Sequence, residues 1–308
     1  MKALGAGLEY LSGKQLWDSV IHASSSAYAS GALHSIPTES HIKTELVEGV
    51  PVNFQIRVVK NLARKSAEMK RRANQTPQAK EFNPFLPYDP QLYVGELTAH
   101  YRCLLNKFNV MDHHILMVTT EFVPQLEPLS REDFLAAQLC LEARDGLVFY
   151  NGGSEAGASI THKHLQMVPL PLCPESFPFQ PLFDTTSTET GKAVQSKLPF
   201  THLVAAASQH VDIETRATHN WACYRQMASQ LGLGSEEGEY PLPHNLLMTR
   251  RHLWVVPRCR ERHTGLAVNA LGYAGTLLVK DQQQLETLQS TGCLPLLQAV
   301  AGLPSQSE

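Results

Sequence analysis

What this chain lacks narrows its function before any motif is read. Its six cysteines, at positions 103, 140, 173, 223, 259 and 293, include no Cys-x-x-Cys pair. That argues against a structural zinc site of the usual spacing and against the dense disulfide framework of a small secreted domain. No apolar run approaches the roughly 18 residues that cross a bilayer. The opening segment, MKALGAGLEYLSGKQLWDSV, has a single Lys at its head and no long apolar core. Its period is that of an amphipathic helix rather than a signal peptide, so the expectation is a cytoplasmic protein with no membrane partner. Strong charge of either sign is also missing. The net charge of -3 gives no general attraction to polyanions and argues against nucleic acid as a partner. A phosphate site would have to be local, built from a few basic side chains and backbone amides.

What is present is a chain of 308 residues, 43% hydrophobic and 18% charged, ordinary for a globular protein and long enough for one large or two medium domains. Residues 9–30 carry Leu11, Leu16, Val20 and Ile21 on one helical stripe. PVNFQIRVVK (51–60) alternates apolar and polar residues and predicts a half-buried strand; the basic, then proline-punctuated stretch 63–87 predicts a loop. Strands are predicted over 91–99 and 113–120, with KFNVMDHH as the turn between elements. The clearest helix follows Ser130, a natural N-cap answered by Asp133 three residues on. Gly146 ends it, and a strand starts at Leu147. The glycine-rich turn NGGSEAGAS then leads into a second strand over 159–172. Residues 174–197, rich in Pro, Ser and Thr, read as a long connection. Beyond it come FTHLVAA, the helical NWACYRQMASQLGL, a strand or hairpin within HNLLMTRRHLWVVPRC, then NALGYAGTLLVKD and a final helix over 282–302.

Alternation along the second strand puts His162, His164 and Gln166 on one face, neighbours roughly 6.5–7 Å apart, and Lys163, Leu165 and Met167 on the other. A polar row in an otherwise apolar strand needs partners or a cleft. Just upstream, Asn151 to Ser159 form a glycine-rich loop where backbone amides can approach an anion. Imidazoles beside a phosphate cradle point to attack on phosphorus. His-x-His alone would read equally as a metal pair or a solvated sheet face; the glutamine and the glycine turn at this spacing narrow the reading.

These residues resemble a known family. FYNGGSEAGASITHKHLQMVPLPL is similar to the active-site segment of the histidine-triad superfamily, in the His-x-His-x-Gln form of its transferase branch. NPFLPYDPQLYV, LLNKFNVMDHHILMVTTEFVPQLEPLS, HNLLMTRRHLWVVPR and NALGYAGTLLVK resemble, in the same order, segments of ATP adenylyltransferase, also called diadenosine tetraphosphate phosphorylase, and span most of residues 51–280. The resemblance implies an α+β fold, with a histidine-triad-like antiparallel sheet flanked by helices in a catalytic domain over 1–180. A C-terminal domain over 195–308 would complete the site. The implied reaction is the reversible conversion of diadenosine tetraphosphate and orthophosphate to ATP and ADP. His164 would be the nucleophile and carry the nucleotidyl group between two displacements. Its imidazole must be neutral, with an Nδ1–H bond to a backbone carbonyl leaving Nε2 free. Gln166 can hold a phosphate oxygen or the intermediate but cannot relay a proton at neutral pH. That suits transfer to phosphate, where hydrolytic relatives commonly carry a third histidine. His162 would position the phosphate or the nucleophile, or simply be a satisfied histidine on the sheet face.

The same resemblance places Asn151 on ribose or phosphate, and Gly157, Ala158, Ser159 and Ile160 around phosphate through amides and the Ser159 hydroxyl. Plain turn geometry also accounts for Gly157. Lys60, Asn106 and Lys107 match substrate-side residues, with solvated surface lysine the competing reading for Lys60. Asn269, Ala270, Leu271, Thr276 and Lys280 align with a region that reaches the substrate, although Lys280 also reads as a helix-flanking surface charge. Arg250 or Arg251, beside Thr249, offers charge for a polyphosphate. The basic run Arg64–Arg72 reads as a solvated face or a lid, and Phe54, Phe85, Tyr88 and Tyr93 as core packing or an adenine stack. No carboxylate cluster accompanies the motif, so no tightly held protein metal is expected, and Mg²⁺ would arrive on the polyphosphate. A hexose-1-phosphate uridylyltransferase, a dinucleoside polyphosphate hydrolase and a non-catalytic dinucleotide sensor remain as alternatives. The oligomeric state is not legible.

Overall fold

A computed structural model describes residues 10–59, 83–174, 176–186, 191–234 and 241–304; Lys60 and the run Arg64–Arg72 lie outside them. Helix α1 (Gly13–Ser30) buries Leu16, Val20, Ser24 and Ala27 and ends on Gly31 in the left-handed conformation. Its buried stripe excludes Ile21, which is exposed. Strands β1 (Thr38–Val47) and β2 (Val50–Val59) pair through a two-residue turn. Glu48 and Gly49 both have positive φ there, as a turn matched to strand twist requires.

The region expected as one strand over 91–99 is a 3-10 turn, Pro90–Leu92, and β3 (Tyr93–Glu96), followed by an unanticipated partner, β4 (Tyr101–Leu105). Then come β5 (Ile115–Thr119), α2 (Arg131–Ala143), β6 (Gly146–Gly152) and β7 (His164–Pro169). α2 starts with the anticipated capping box, Ser130 with Asp133. The long connection holds α3 (Gln180–Thr185). β8 (Leu203–Ala206) and α4 (Ile213–Gln230) precede the hairpin β9 (His244–Met248) and β10 (His252–Pro257). A short pair, β11 (Arg262–His263) and β12 (Leu266–Ala267), and a 3-10 turn, Ala270–Ala274, lead into β13 (Thr276–Val279). The predicted final helix is two, α5 (Gln282–Thr291) and α6 (Cys293–Val300). Gly292 separates them with φ 93°, a conformation no side-chain-bearing helical residue adopts without strain.

Eight strands form one antiparallel sheet in the order β3-β4-β5-β7-β6-β9-β10-β8, so segments before and after the long connection share a sheet. The histidine-bearing β7 lies in its middle. One face packs on α1, α2 and α4 through Cys103, Met117, Leu165, Met167 and Met248. Across the opposite face, Leu147, Phe149, Leu247 and Trp254 pack beneath the aromatics of 177–183, the 3-10 turn and α6. β2 pairs with β1 and β13 in a separate three-stranded sheet. Each large apolar side chain buried this way contributes about 1.5–3 kcal/mol. The anticipated α+β class and antiparallel sheet are what the chain forms. No helix among the described residues is long and apolar enough to cross a membrane.

Candidate active site

β7 opens at His164, not at Ser159. The segment before it is held by an isolated bridge of His162 to Pro124 and by bonds from the loop that precedes α2. Gln125 is the main fastener. Its buried amide accepts from His164 N at 2.9 Å and donates to His164 O at 3.2 Å and to Asn151 O at 2.9 Å. One side chain thereby replaces the ladder bonds that β6 and β7 lose where they diverge. Behind the row, Lys163 is 3% exposed and reaches Asp133 at 3.0 Å and Pro128 O at 3.0 Å. Asp133 also accepts from Ser130 N and Oγ and from the Tyr101 hydroxyl. The residue between the histidines thus anchors the segment to the cap of α2.

His164 Nδ1 lies 2.8 Å from the carbonyl oxygen of His162. Only a protonated Nδ1 makes that bond, so Nε2 keeps its lone pair. Burial holds the ring's pKa down at about 4; at neutral pH it is uncharged, with a lone pair free on Nε2. The expectation of an open sheet face is corrected, however. His164 is 6% exposed because the Phe85 ring covers it, centroid to centroid 5.3 Å, as it also covers His162 at 5.5 Å. Phe85 packs with Leu104, Leu116 and Val118, with Tyr88, Tyr93 and Ile160 around them. These residues floor the histidine face, since Leu104 pairs with Leu116, Leu116 with Gln166 and Val118 with His164.

His162 is locked at both ring nitrogens. Phe85 N donates to Asn83 Oδ1, so Asn83 Nδ2 donates to His162 Nδ1 at 2.9 Å. Nε2–H then points to Thr119, with the carbonyl at 3.0 Å and Oγ1 at 2.8 Å. Burial lowers this ring's pKa as well. Gln166 accepts through Oε1 from His114 Nε2 at 3.0 Å.

The glycine-rich turn closes on itself first. Gly153 and Gly157 have φ 97° and 89°, and Ala156 N, Gly157 N and Ala158 N bond to Gly153 O, Ser154 O and Gly153 O. The Gly157 and Ala158 amides expected to hold phosphate are therefore engaged in the turn, while Ser159 is exposed and Ile160 half-buried. A Cβ on Gly157 would come within 2.9 Å of Asn269 Cβ, which is how closely the later part of the chain seals this loop. Asn151 Oδ1 accepts from Ala270 N at 3.0 Å and Asn245 Nδ2 at 3.0 Å. Asn269 caps its own turn by accepting from Leu271 N.

Other anticipated residues are already engaged with the protein or are placed elsewhere. Asn106 has both amide ends engaged, by Phe108 N and His114 Nδ1, and Lys107 pairs with Asp89 at 3.3 Å. Thr276 and exposed Lys280 lie on and just past β13, in the smaller sheet; Leu271 and Phe54 are core. Neither Arg250 nor Arg251 faces the histidines. They sit in the β9–β10 turn with Thr249, and the register, Met248 with Val148 and Asn245 with Asn151, puts that turn at the far end of the sheet. Arg250 caps the Leu141 and Glu142 carbonyls, and Arg251 pairs with Asp184.

Two arginines were not anticipated. Arg102 pairs with Val118, which pairs with His164, so all three share the histidine face. Its guanidinium lies 4.6 Å over the Tyr88 ring, which stacks on Tyr93. The sequence signal was the alternation Arg102, Leu104, Asn106 in a strand that was not recognised. Arg258, fully buried, donates to Asn245 Oδ1 at 2.6 Å and Val268 O at 2.8 Å. Through Asn245 it braces Asn151 and the Ala156 carbonyl.

Two family models match the chain in succession. The model of the Ap4A phosphorylase N-terminal domain matches residues 8–185, and that of the ATP adenylyltransferase C-terminal domain matches residues 196–302. Diadenosine 5',5'''-P1,P4-tetraphosphate phosphorylase 2 of Saccharomyces cerevisiae is 32% identical over 257 residues, 72% of this chain and 76% of that one. Protein APA1 of the same yeast is 30% identical over 217 residues, 62% of this chain and 65% of that one. The crystal structure of yeast Ap4A phosphorylase Apa2 superposes with a TM-score of 0.76 at 26% identity, covering 97% of this chain and 98% of that one. The crystal structure of Apa2 in complex with Ap4A gives 0.74 at 26% identity over 96% of this chain and all of that one.

Proposed function

The chain belongs to the Ap4A phosphorylase and ATP adenylyltransferase family, and on that premise we propose that it converts diadenosine tetraphosphate and orthophosphate to ATP and ADP, reversibly, through His164. The observation that carries the mechanism is the bond from His164 Nδ1 to the His162 carbonyl. It holds the one tautomer whose Nε2 can attack.

The Nε2 lone pair forms a bond to the α-phosphorus of one adenylyl end while the phosphoanhydride bond on the opposite side breaks. The leaving group is ATP, and an adenylyl-histidine remains. An orthophosphate oxygen then attacks the same phosphorus, the P–N bond breaks, its electrons return to Nε2, and ADP departs. Two in-line displacements replace one difficult transfer. His162 positions the nucleophile: its carbonyl fixes the His164 ring, and its own ring is tied to Asn83 and Thr119. The Gln166 amide meets charge on the phosphoryl oxygens, and Arg102 supplies a cation on the same face. Ser159 and Ile160 offer amides, and Ser159 its hydroxyl, to the phosphates. Asn269 and Ala270 close the loop behind them.

Among the described residues no group of three or more His, Cys, Asp or Glu side chains could hold a metal ion. Mg²⁺ is read as part of the polyphosphate substrate, where it neutralises charge.

The test is incubation with α-labelled diadenosine tetraphosphate without phosphate, followed by mass spectrometry of the peptide holding His164. A 5'-adenylyl adduct there, discharged as ADP when phosphate is added and absent from His164→Ala, is the expected result. An adduct on another residue, or AMP released to water at the same rate with and without phosphate, refutes the reading.

A further inference from the structure

Gln166 can assist phosphoryl transfer only if it offers hydrogens to the phosphate. An amide turned the other way offers an oxygen, which repels it. Rotation about one bond separates the two, so something must fix the choice. The chain of bonds that fixes it starts at a group whose role is unambiguous, a backbone N–H.

Phe108 N donates to Asn106 Oδ1 at 3.2 Å. With its oxygen so engaged, Asn106 presents Nδ2 to His114 Nδ1 at 3.1 Å, and a ring nitrogen that receives a hydrogen bond carries no proton. His114 is buried, and burial brings its pKa to about 4, so at neutral pH the ring has a single N–H. That hydrogen is therefore on Nε2, which lies 3.0 Å from Gln166 Oε1. The oxygen of Gln166 is held by His114, and its Nε2 hydrogens are left for a ligand. Phe149, 5.7 Å from the imidazole, flanks the ring. All of this happens on the histidine face, where Leu116 of β5 pairs with Gln166 of β7.

We propose that His114 is a positioning residue for the transfer reaction, fixing the amide of Gln166 so that its N–H₂ end meets the phosphoryl oxygens, with Asn106 setting the tautomer of His114. Asn106 thereby serves the nucleotide at one remove rather than by touching it. The proposal rests on the phosphorolysis reading for its kinetic consequence but not for its chemistry, since the tautomer is a property of the protein alone.

Two measurements test it. Long-range ¹⁵N–¹H correlation on the labelled full chain reads the His114 tautomer without substrate, and a protonated Nε2 with a bare Nδ1 is expected. Finding the proton on Nδ1 overturns the proposal whether or not the enzyme phosphorolyses diadenosine tetraphosphate. Wild-type inactivity would instead count against the function proposed above. The second measurement is a cycle of kcat and KM for His114→Leu and His114→Gln, each with Gln166 intact and with Gln166→Ala. The glutamine variant keeps a neutral donor of similar reach. His114→Leu should lower kcat about tenfold or more while KM stays within about threefold, and His114→Gln should recover most of it. In the Gln166→Ala background, His114→Leu should cost nothing further. An undiminished loss in that background, or a glutamine variant no better than leucine with the fold intact, overturns the proposal. If His114→Leu fails to fold, the tautomer and the glutamine variant still decide.

Discussion

The side-chain amide of Gln125 grips both main-chain polar atoms of His164, accepting from its nitrogen at 2.9 Å and donating to its carbonyl at 3.2 Å. The proposed nucleophile is thus held by a residue 39 positions earlier, at the point where two neighbouring strands part. Replacement of Gln125 by Leu leaves the His164 N–H and carbonyl and the Asn151 carbonyl without these partners. Each buried orphan costs about 1–3 kcal/mol, so urea unfolding should report a loss of about 3 kcal/mol or more, and kcat should fall with it. Gln125→Glu keeps the acceptor and loses both donor bonds, and should fall between.

Acid should both unfold and inactivate the enzyme from the histidine side. Burial holds His114, His164, His202 and His244 at pKa values of about 4, below the unfolded value of about 6.5. Between those values the unfolded chain binds the protons and the folded one does not, so stability is full above about pH 6.5 and declines as pH falls toward 4. The slope is at most about 1.4 kcal/mol per pH unit for each ring. Chemical denaturation from pH 7 to 4.5 measures it; a stability independent of pH there would show the rings are not held neutral. Single-turnover adenylylation should stay level down to about pH 5 and fall only as His164 protonates.

Lys163 and Asp133 are a buried pair at 3.0 Å. Removing one partner of such a pair typically costs about 3–5 kcal/mol, because the other charge is left uncompensated. Lys163→Met should lose stability in that range by urea unfolding. Asp133→Asn should cost less in the Lys163→Met background than alone, and strict additivity would show that the two do not interact.

Gly157→Ala should strain the glycine-rich turn twice, by a left-handed φ of 89° and by the approach to Asn269. The conformational part costs about 1–2 kcal/mol. Because the loop must shift to admit the methyl, KM for diadenosine tetraphosphate should rise more than about fivefold at 25 °C. An unchanged KM would remove this loop from the site.

Charge at the site can be checked with a paired substitution. Arg102→Gln, which removes a cation of the histidine face that also lies 3.6 Å from Glu96, should weaken phosphorolysis about tenfold, whereas Arg251→Gln, at the far end of the sheet, should leave kcat/KM unchanged. Equal effects would place the polyphosphate elsewhere.

Much of the fold was legible wherever the signal was local. The capping box of Ser130 and Asp133 and the left-handed Gly153 and Gly157 of the turn express short-range rules and stand where the sequence put them, whereas Gly146, expected to end α2, opens β6 after a cap at Arg144. β1 and β4 were missed although their turn and alternation were present, Glu48-Gly49 in one case and Arg102, Leu104, Asn106 in the other. Both are short-range signals outweighed by neighbouring polar residues. The long strand expected over 159–172 shrank to β7 because ladder pairing, which sequence does not display, ends at His164.

For the site, the sequence by itself determined the reagents: the His162-x-His164-x-Gln166 row, the glycine turn beside it and the requirement for a neutral imidazole. These follow from side-chain chemistry and from alternation within a few residues. Only the tertiary structure decided which hydrogens and lone pairs are free. The grip of Gln125, the place of Arg102 and the distance of Arg250 and Arg251 depend on partners far along the chain or on strand register, and the tautomers of His164 and His114 on partners two and eight residues away whose orientation only the fold decides. A hydrogen bond has a direction, and that direction is set by what the rest of the chain brings opposite it.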